Sequence, residues 1–195
     1  MSCPTEKPPT SIGEGRVAVP AAGRTLRHAV GGTTTDDEAS HLIEQLCLIA
    51  HPEGGHYREL FRSTVAVSTP RGTRSASTAI WFLLGAGELS AFHQVLGADE
   101  VWHHCGGDPL LLHLLDERGA RTVSLGPDLA AGDQPASVVP AGVLQAAEPA
   151  GRRFSLCACV VAPGFEFADF VLPSRAALCA QYPLERALIE RLTRT

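Results

Sequence analysis

The sequence predicts an all-β domain, a sandwich or barrel, with one helix before it and another after it. Three observations carry this. From Gly55 onward the apolar residues come in short runs such as "STAIWFLL", "LSAFHQVL" and "PLLLHLLD", at nearly regular spacing and broken by glycine-rich turns; that is the pattern of many short strands. Helical spacing occurs only near the two ends. Finally, 195 residues that are 45% hydrophobic and 19% charged suffice for one domain with a real core and some tail.

Residues 1–35 carry Pro, Gly, Thr and isolated charges without a sustained period. They bury too little surface to offset their own ordering entropy and read as a flexible leader, leaving residues 36–195 as the domain. A helix follows: Thr35 caps it, Asp36 to Glu38 complement its dipole, and Leu42, Ile43 and Leu46 recur on one face. His51-Pro52 and the next glycines end it. The strand-like runs then extend from "YRELFRSTVAVS" to "FSLCACVVAPGFEFADFVL". The closing "SRAALCAQYPLERALIERLTRT" returns to helical spacing through Leu184, Leu188 and Leu192.

Composition excludes several function classes. A formal net charge of -5, a pI near 5.9 and scattered basic residues give no stripe to neutralise a phosphate backbone, so nucleic acid is not an expected partner. No apolar run reaches the roughly 18 residues of a membrane span, and "MSCPTEKPPTSIGEG" lacks the apolar centre of a signal peptide. A cytoplasmic protein without membrane partners is expected. Six cysteines with no CxxC pair, several inside apolar runs, read as buried thiols and exclude a zinc finger.

The stretch "AFHQVLGADEVWHHCGGDP", residues 91–109, concentrates the chemistry. His93 and Glu100 flank a Gly97-Ala98 turn, so they can sit on neighbouring strands facing one cavity. Strand alternation puts Glu100, Trp102 and His104 on one face and His103 on the other. His93, Glu100 and His104 would then offer two imidazoles and a carboxylate to a divalent transition metal, with open positions for substrate. The bland alternative is that the histidines are hydrogen-bonded strand residues and Glu100 a solvated rim charge. Downstream, "VVPAGVLQAA" pairs a Pro140-x-Gly142 turn with a strand carrying Gln145.

These two elements together resemble the cupins, whose first motif reads HxHxxxxE and whose second reads PxGxxH. His93 and Glu100 match the first and last positions of the first motif. Val95 stands at its middle His and Gln145 at the His of the second. The set "HPEGGHYRE", "STAIWFLL", "FHQVLGADEVWHH" with "GDPLLLHLL", and "VAPGFEFADF", spanning about residues 36 to 185, is similar to the cupin-5 family, long catalogued as a domain of unknown function. The resemblance implies a single-domain cupin jelly-roll barrel with flanking N- and C-terminal helices, often a homodimer, with a pocket of unsettled chemistry. His56 is a departure, because the family usually shows an aromatic residue there.

On that basis His93, Glu100, His104 and Gln145 are the expected metal ligands, for Fe, Ni, Mn or Zn. His113 and Glu53 are the candidate bases, and Tyr57 is the one plausible tyrosine acid. His51, Arg58, Ser77, Trp102 and Phe165 are expected to meet a small-molecule substrate. The glycines of "HPEGG" permit positive φ and would fold that segment over the barrel mouth. Arg58 and Arg62 suit a carboxylate or phosphate. His113 shares a face with Leu111 and Leu115, where a satisfied core histidine is the commoner outcome; it enters the pocket set because the neighbouring strand carries Glu100 and Trp102. Glu166 is expected to point outward.

The expected function is a metal-dependent isomerase, epimerase or lyase acting on a small oxygenated or carbonyl-bearing molecule, the ion polarising an oxygen while a base moves a proton. Three alternatives stay open: a non-catalytic module for a sugar-like or nucleotide-linked ligand, a metal-free epimerase working through a His base, and an iron-dependent oxygenase.

Overall fold

A computed structural model describes residues 35–194; the expected leader falls outside the described residues, apart from Thr35. Helix α1 (Thr35–Gln45) stops before His51-Pro52. The terminator is Cys47, which adopts φ 51° and lets the Leu48 amide donate back to the Ile43 carbonyl at 2.9 Å. Such a left-handed residue satisfies the last carbonyls and ends the helix without proline. The chain thus has room for a short strand, β1 (Ile49–Ala50), before the His51 turn.

Twelve more strands follow: β2 (His56–Arg62), β3 (Ala66–Thr69), β4 (Gly72–Ser75), β5 (Thr78–Leu84), β6 (Ser90–Val95), β7 (Asp99–Gly107), β8 (Leu110–Asp116), β9 (Gly119–Leu125), β10 (Ala136–Val139), β11 (Leu144–Pro149), β12 (Ser155–Ala162) and β13 (Phe170–Val171). They form a six-stranded sheet, order β1-β2-β5-β12-β7-β10, a five-stranded sheet, order β13-β6-β11-β8-β9, and the β3-β4 hairpin. The two large sheets close as a jelly-roll barrel. Phe82, Trp102, Cys157 and Cys159 from the first pack against Leu110, Leu112, Leu114 and Ala147 from the second.

Both sheets are also covered outside, which blurs the period-2 pattern of their strands. Leu83 and Trp81 of β5 pack with Ala39, Leu42 and Ile43 of α1. Phe92 of β6, Leu115 of β8 and Ala146 of β11 pack with Leu178, Ile189 and Leu192 at the C-terminal end. That end is not one helix. Pro183 has no amide hydrogen, and the chain forms α2 (Arg175–Gln181), a 3-10 turn at Pro183–Glu185, and α3 (Arg186–Arg191). Leu184 is consequently 96% exposed, while Leu188 and Leu192 pack as expected.

Two glycines are fixed by close backbone approach. Gly54 has φ +122°, and a Cβ there would lie 2.0 Å from the Leu89 carbonyl oxygen. Gly107 has φ +84°, with the Phe154 carbonyl oxygen 1.9 Å from where its Cβ would be. Neither position admits a side chain. Among the described residues no helix is long and apolar enough to cross a membrane. Cys105, Cys157, Cys159 and Cys179 are free thiols; the last three are buried as expected, whereas Cys105 is exposed.

Candidate functional site

A cavity of about 290 Å³ opens between the sheets at one end of the barrel. Alternation selects its lining. On β5, Thr78, Ile80 and Phe82 face inward; on β6, His93 and Val95; on β7, Glu100 and Trp102. The turn after β1 adds His51 and Glu53, and the segment from the end of β12 into β13 closes over them with Phe165, Phe167 and Phe170.

The polar groups meet at the buried end. Glu53 Oε2 lies 3.3 Å from His51 Nδ1 and 3.3 Å from His93 Nε2, and Ser90 Oγ donates to Glu53 Oε1 at 2.8 Å. The other His93 nitrogen, Nδ1, donates to the Ala91 carbonyl at 2.9 Å, so that bond assigns the lone pair to Nε2. His51 Nδ1 accepts from the Glu53 amide at 3.4 Å, so its single lone pair is shared between that amide and the side of the Glu53 carboxyl. Two imidazole lone pairs therefore converge on one carboxyl oxygen. Such a contact is attractive when a proton lies between the two atoms, on the carboxyl or on an imidazole.

Burial favours the carboxyl. It pushes the Glu53 carboxyl up to about 8, opposed by the Ser90 hydrogen bond and the Arg194 charge. It holds the His51 imidazole down at about 4, helped by the neighbouring His93, and holds His93 low as well. Rings enclose His51: Tyr57 edge-on at 4.6 Å between centroids, Phe82 at 5.9 Å, Phe170 at 5.8 Å and Phe167 stacked at 6.2 Å. Near neutral pH the cluster thus holds neutral imidazoles that can take a proton and a carboxylic acid that can give one.

Glu100 is buried beside them and is raised to about 7, first by desolvation and then by Glu53, against the lowering effect of His93. Its Oε2 accepts from Gln145 Nε2 at 2.6 Å, and Gln145 Oε1 accepts from Trp102 Nε1 at 3.0 Å. Gln145 does not line the cavity; it orients Glu100 and Trp102 from behind. Cys159, also on the wall, stays a thiol because burial raises it well above its usual range.

Other expected members lie elsewhere. His104 shares the Glu100 face, but four residues along a strand separate the two by about 13 Å. Its Nε2 instead contacts the Asp108 carbonyl oxygen at 3.0 Å. His113 is on the outer face of β8, opposite to the inward Leu112 and Leu114, with Thr122 Oγ1 at 2.9 Å and Glu148 Oε1 at 3.1 Å. Arg191 also binds that Glu148 oxygen, so His113 helps to seat α3. Ser77 precedes β5 and is not in the lining; its neighbour Thr78 is, its hydroxyl accepting from the Phe165 amide at 3.0 Å. Tyr57, His51, Trp102 and Phe165 do line the cavity. Arg58 borders it from a position whose register partner, Trp81, packs on the outer side.

The mouth differs from expectation too. Glu166 is 48% exposed, yet it turns to Arg62 Nη1 at 2.8 Å, while Glu59 Oε2 accepts from Arg62 Nη2 at 2.8 Å. The lid segment is further tied by Asp169, which accepts from Arg71 Nε at 2.6 Å and Arg74 Nε at 2.7 Å. Ser90, Phe170, Glu59 and Asp169 were not legible as site residues. Only the repeated Phe spacing of "FEFADF" hinted at a lid.

The donor set has the chemistry of a metal site, with two imidazoles and two carboxyls, but not its arrangement. Among the described residues no three His, Cys, Asp or Glu side chains are grouped to hold an ion. His51 and His93 are directed at Glu53 rather than at a shared open point, and Gln145 occupies one oxygen of Glu100.

Comparison with known proteins bears on the fold. Residues 40–173 match the family model described as Cupin superfamily, DUF985. A hypothetical protein from Leishmania major is 32% identical at a TM-score of 0.75, over 80% of this chain and 99% of that one. Protein SO0799 from Shewanella oneidensis is 41% identical at a TM-score of 0.74, over 80% of this chain and 97% of that one. No curated protein matches the sequence.

Proposed function

The chain belongs to the DUF985 family of the cupin superfamily, and from that premise we propose that it is an isomerase or epimerase that moves a proton on carbon next to a carbonyl of a small molecule. The observation that carries this reading is the convergence of His51 and His93 on Glu53, whose carboxyl burial pushes up to about 8, inside a mostly apolar cavity. One carboxyl proton serves one imidazole, and the other imidazole is left as the base. When that base takes a proton from substrate carbon, the resulting imidazolium is stabilised by Glu53, whose own proton can pass to the opposite imidazole. Glu100, fixed by Gln145, or the Tyr57 phenol returns a proton to the substrate oxygen or to the other face of the carbon. The aromatic lid excludes water, which strengthens each of these interactions.

A metal-assisted version of the same reaction would draw on His51, His93 and Glu53 as donors, the ion polarising the substrate carbonyl. It requires the Glu53 proton to leave. The test is proton exchange by ¹H NMR in D₂O, with a panel of hydroxy-ketones and free sugars, in the presence and absence of chelator. Exchange is expected to persist in chelator and to fall by at least about 100-fold in Glu53→Gln and His93→Ala. Loss of exchange in chelator, restored by Fe, Ni, Mn or Zn, would replace the metal-free reading with the metal-assisted one. No exchange with any member would leave a binding module.

A further inference from the structure

Two arginines line the cavity, and their surroundings differ. Arg62 is saturated: Glu59 accepts from Nε and Nη2 at 3.1 and 2.8 Å, Glu166 from Nη1 at 2.8 Å, and the Phe165 carbonyl from Nη2 at 3.1 Å. It ties the lid to β2. Arg58 is half-buried, yet among the described residues it makes no hydrogen bond and no ion pair. A guanidinium has five N–H donors and cannot shed its charge, so an anion reaching Arg58 gains charge-assisted hydrogen bonds without displacing a protein partner.

The sheet edge brings Arg58 to the mouth. Strand β1 covers only His56 and Tyr57 of β2. From Arg58 on that edge is open, and there Cys47, Ile49 and Arg58 border the cavity. Arg58 directly follows Tyr57, whose ring meets His51 at 4.6 Å between centroids. The guanidinium is thus separated from the His51 cluster by one strand residue, about 3.3 Å, and its own side-chain length.

The charges suit a single negative group. Arg62 with Glu59 and Glu166 sums to one negative charge, and Arg58 supplies one positive. Burial pushes Glu53 up to about 8 and Glu100 up to about 7, so at pH 6 neither sets a like charge against an incoming anion. A carboxylate matches the guanidinium fork with one charge, whereas a phosphate monoester brings up to two. Between mouth and floor the wall is apolar, with Ile80, Phe82, Trp102 and Val161, a surface suited to the face of a ring. The space of about 290 Å³ is at the lower edge of the usual ligand range of roughly 300–1,000 Å³.

We propose that Arg58 anchors the ligand of this cavity, and that the ligand is a small carboxylic acid with an apolar body. Its carboxylate is held by the Arg58 guanidinium, and its body lies along Phe82 and Trp102. The carboxylate site stands on its own; the placing of a carbonyl beside His51 and Glu53 rests on the proton-transfer reading above.

The experiment uses cyclohexanones carrying a carboxylate, a primary amide or a phosphate ester opposite the carbonyl. They are titrated into the full chain by ligand-observed NMR at pH 6, and exchange of the protons beside the carbonyl is followed in D₂O. The carboxylate is expected to bind at least about tenfold more tightly than the amide. Arg58→Gln is expected to reduce that advantage to less than about threefold while leaving amide affinity unchanged. Arg58→Lys, which keeps the charge and loses the fork, is expected to fall between the two. An amide that binds as tightly as the carboxylate overturns the proposal, as does a carboxylate advantage undiminished in Arg58→Gln. A phosphate ester that binds more tightly than the carboxylate also overturns it, as does a carboxylate Kd above about 10 mM. Carboxylate preference without exchange supports the Arg58 site and sinks the proton-transfer reading. Exchange with carboxylate and amide bound alike does the reverse.

Discussion

Glu53→Gln tests the charge state on which the mechanism depends. Gln has the shape of the protonated acid: one amide oxygen can still accept from Ser90, and the amide nitrogen can donate to an imidazole where the carboxyl proton did. In the wild type, the folded carboxyls titrate at about 8 for Glu53 and about 7 for Glu100, both above the ordinary 4.5. A raised acid stabilises the fold fully below its unfolded value and loses that stabilisation as pH rises through the folded value. Between pH 6.5 and 8, Glu53 then loses about 1.6 kcal/mol and Glu100 about 0.8 kcal/mol. His51 acts oppositely: held at about 4, it stabilises fully above 6.5 and regains about 0.4 kcal/mol over the same interval, and His93, lowered as well, acts in the same direction. The wild type should lose a net of about 1.5–2 kcal/mol, or a Tm about 3–8 °C lower at pH 8 than at pH 6.5. In Glu53→Gln the Glu100 and imidazole contributions cancel to within about 0.5 kcal/mol, so its Tm should be nearly flat. Thermal melts read both. The interval ends at pH 8 because the buried Cys157 and Cys159 thiols contribute above it. A flat wild type, or a variant running parallel to it, would show that Glu53 is ionised in the folded protein.

Further substitutions probe the supports of the site. Gln145→Leu leaves the buried Trp102 indole N–H unsatisfied and removes a donor from Glu100; urea unfolding should show a loss of about 2–4 kcal/mol, and a loss below about 0.5 kcal/mol would mean the network adds nothing to the fold. Gly54→Ala drives a methyl into the Leu89 carbonyl at a positive-φ position. It should cost roughly 2–4 kcal/mol and displace Glu53, seen as loss of the pH dependence described above. Asp169→Asn weakens the ties to Arg71 and Arg74, so amide exchange around residues 163–171 should accelerate by about tenfold while that of β8 is unchanged; equal rates would place the restraint of the lid in its Phe packing. Arg194→Gln removes a positive charge that favours ionised Glu53 and loosens a contact to the Pro52 carbonyl at 3.3 Å. The loss of stability with rising pH should then move to higher pH, and no displacement would discount Arg194 as a positioning residue.

The strands were legible because their runs of apolar residues are bounded by turns, and the cupin resemblance ordered them. The polar "GTRS" of β4 carries no such signal; its pairing with β3 is set by the Thr69–Gly72 turn. For the site, parity succeeded where it needed only a face: His93, Glu100 and Trp102 do point into the cavity. It failed for His104 because alternation gives a face and not a height along the strand. It failed for His113 because β8 is apolar on both faces, and its own sequence does not say which face turns toward the barrel. The meeting of His51, Glu53 and His93 is invisible in one dimension, since it depends on a turn after β1 folding onto β6.

That turn also explains why so costly a cluster persists. The Glu53 carbonyl accepts from the Ala91 amide at 2.9 Å, inside the β6 region that carries Ser90 and His93. The Pro52 carbonyl accepts from Arg194, and the Leu192 carbonyl accepts from the Phe92 amide at 2.9 Å. The backbone thus fixes the Glu53 main chain from both sides, and Ser90 holds its carboxyl in the buried end. Elsewhere polar groups are well satisfied: among the described residues the buried side-chain atom without a hydrogen-bond partner is His56 Nδ1, which lies outside the cavity. A fold that satisfies its polar groups so widely, yet buries two carboxyls and two imidazoles against an aromatic wall, departs from optimum stability at one place. Packing alone would be better served there by apolar side chains, so the departure marks the cavity as the part of the molecule shaped by chemistry.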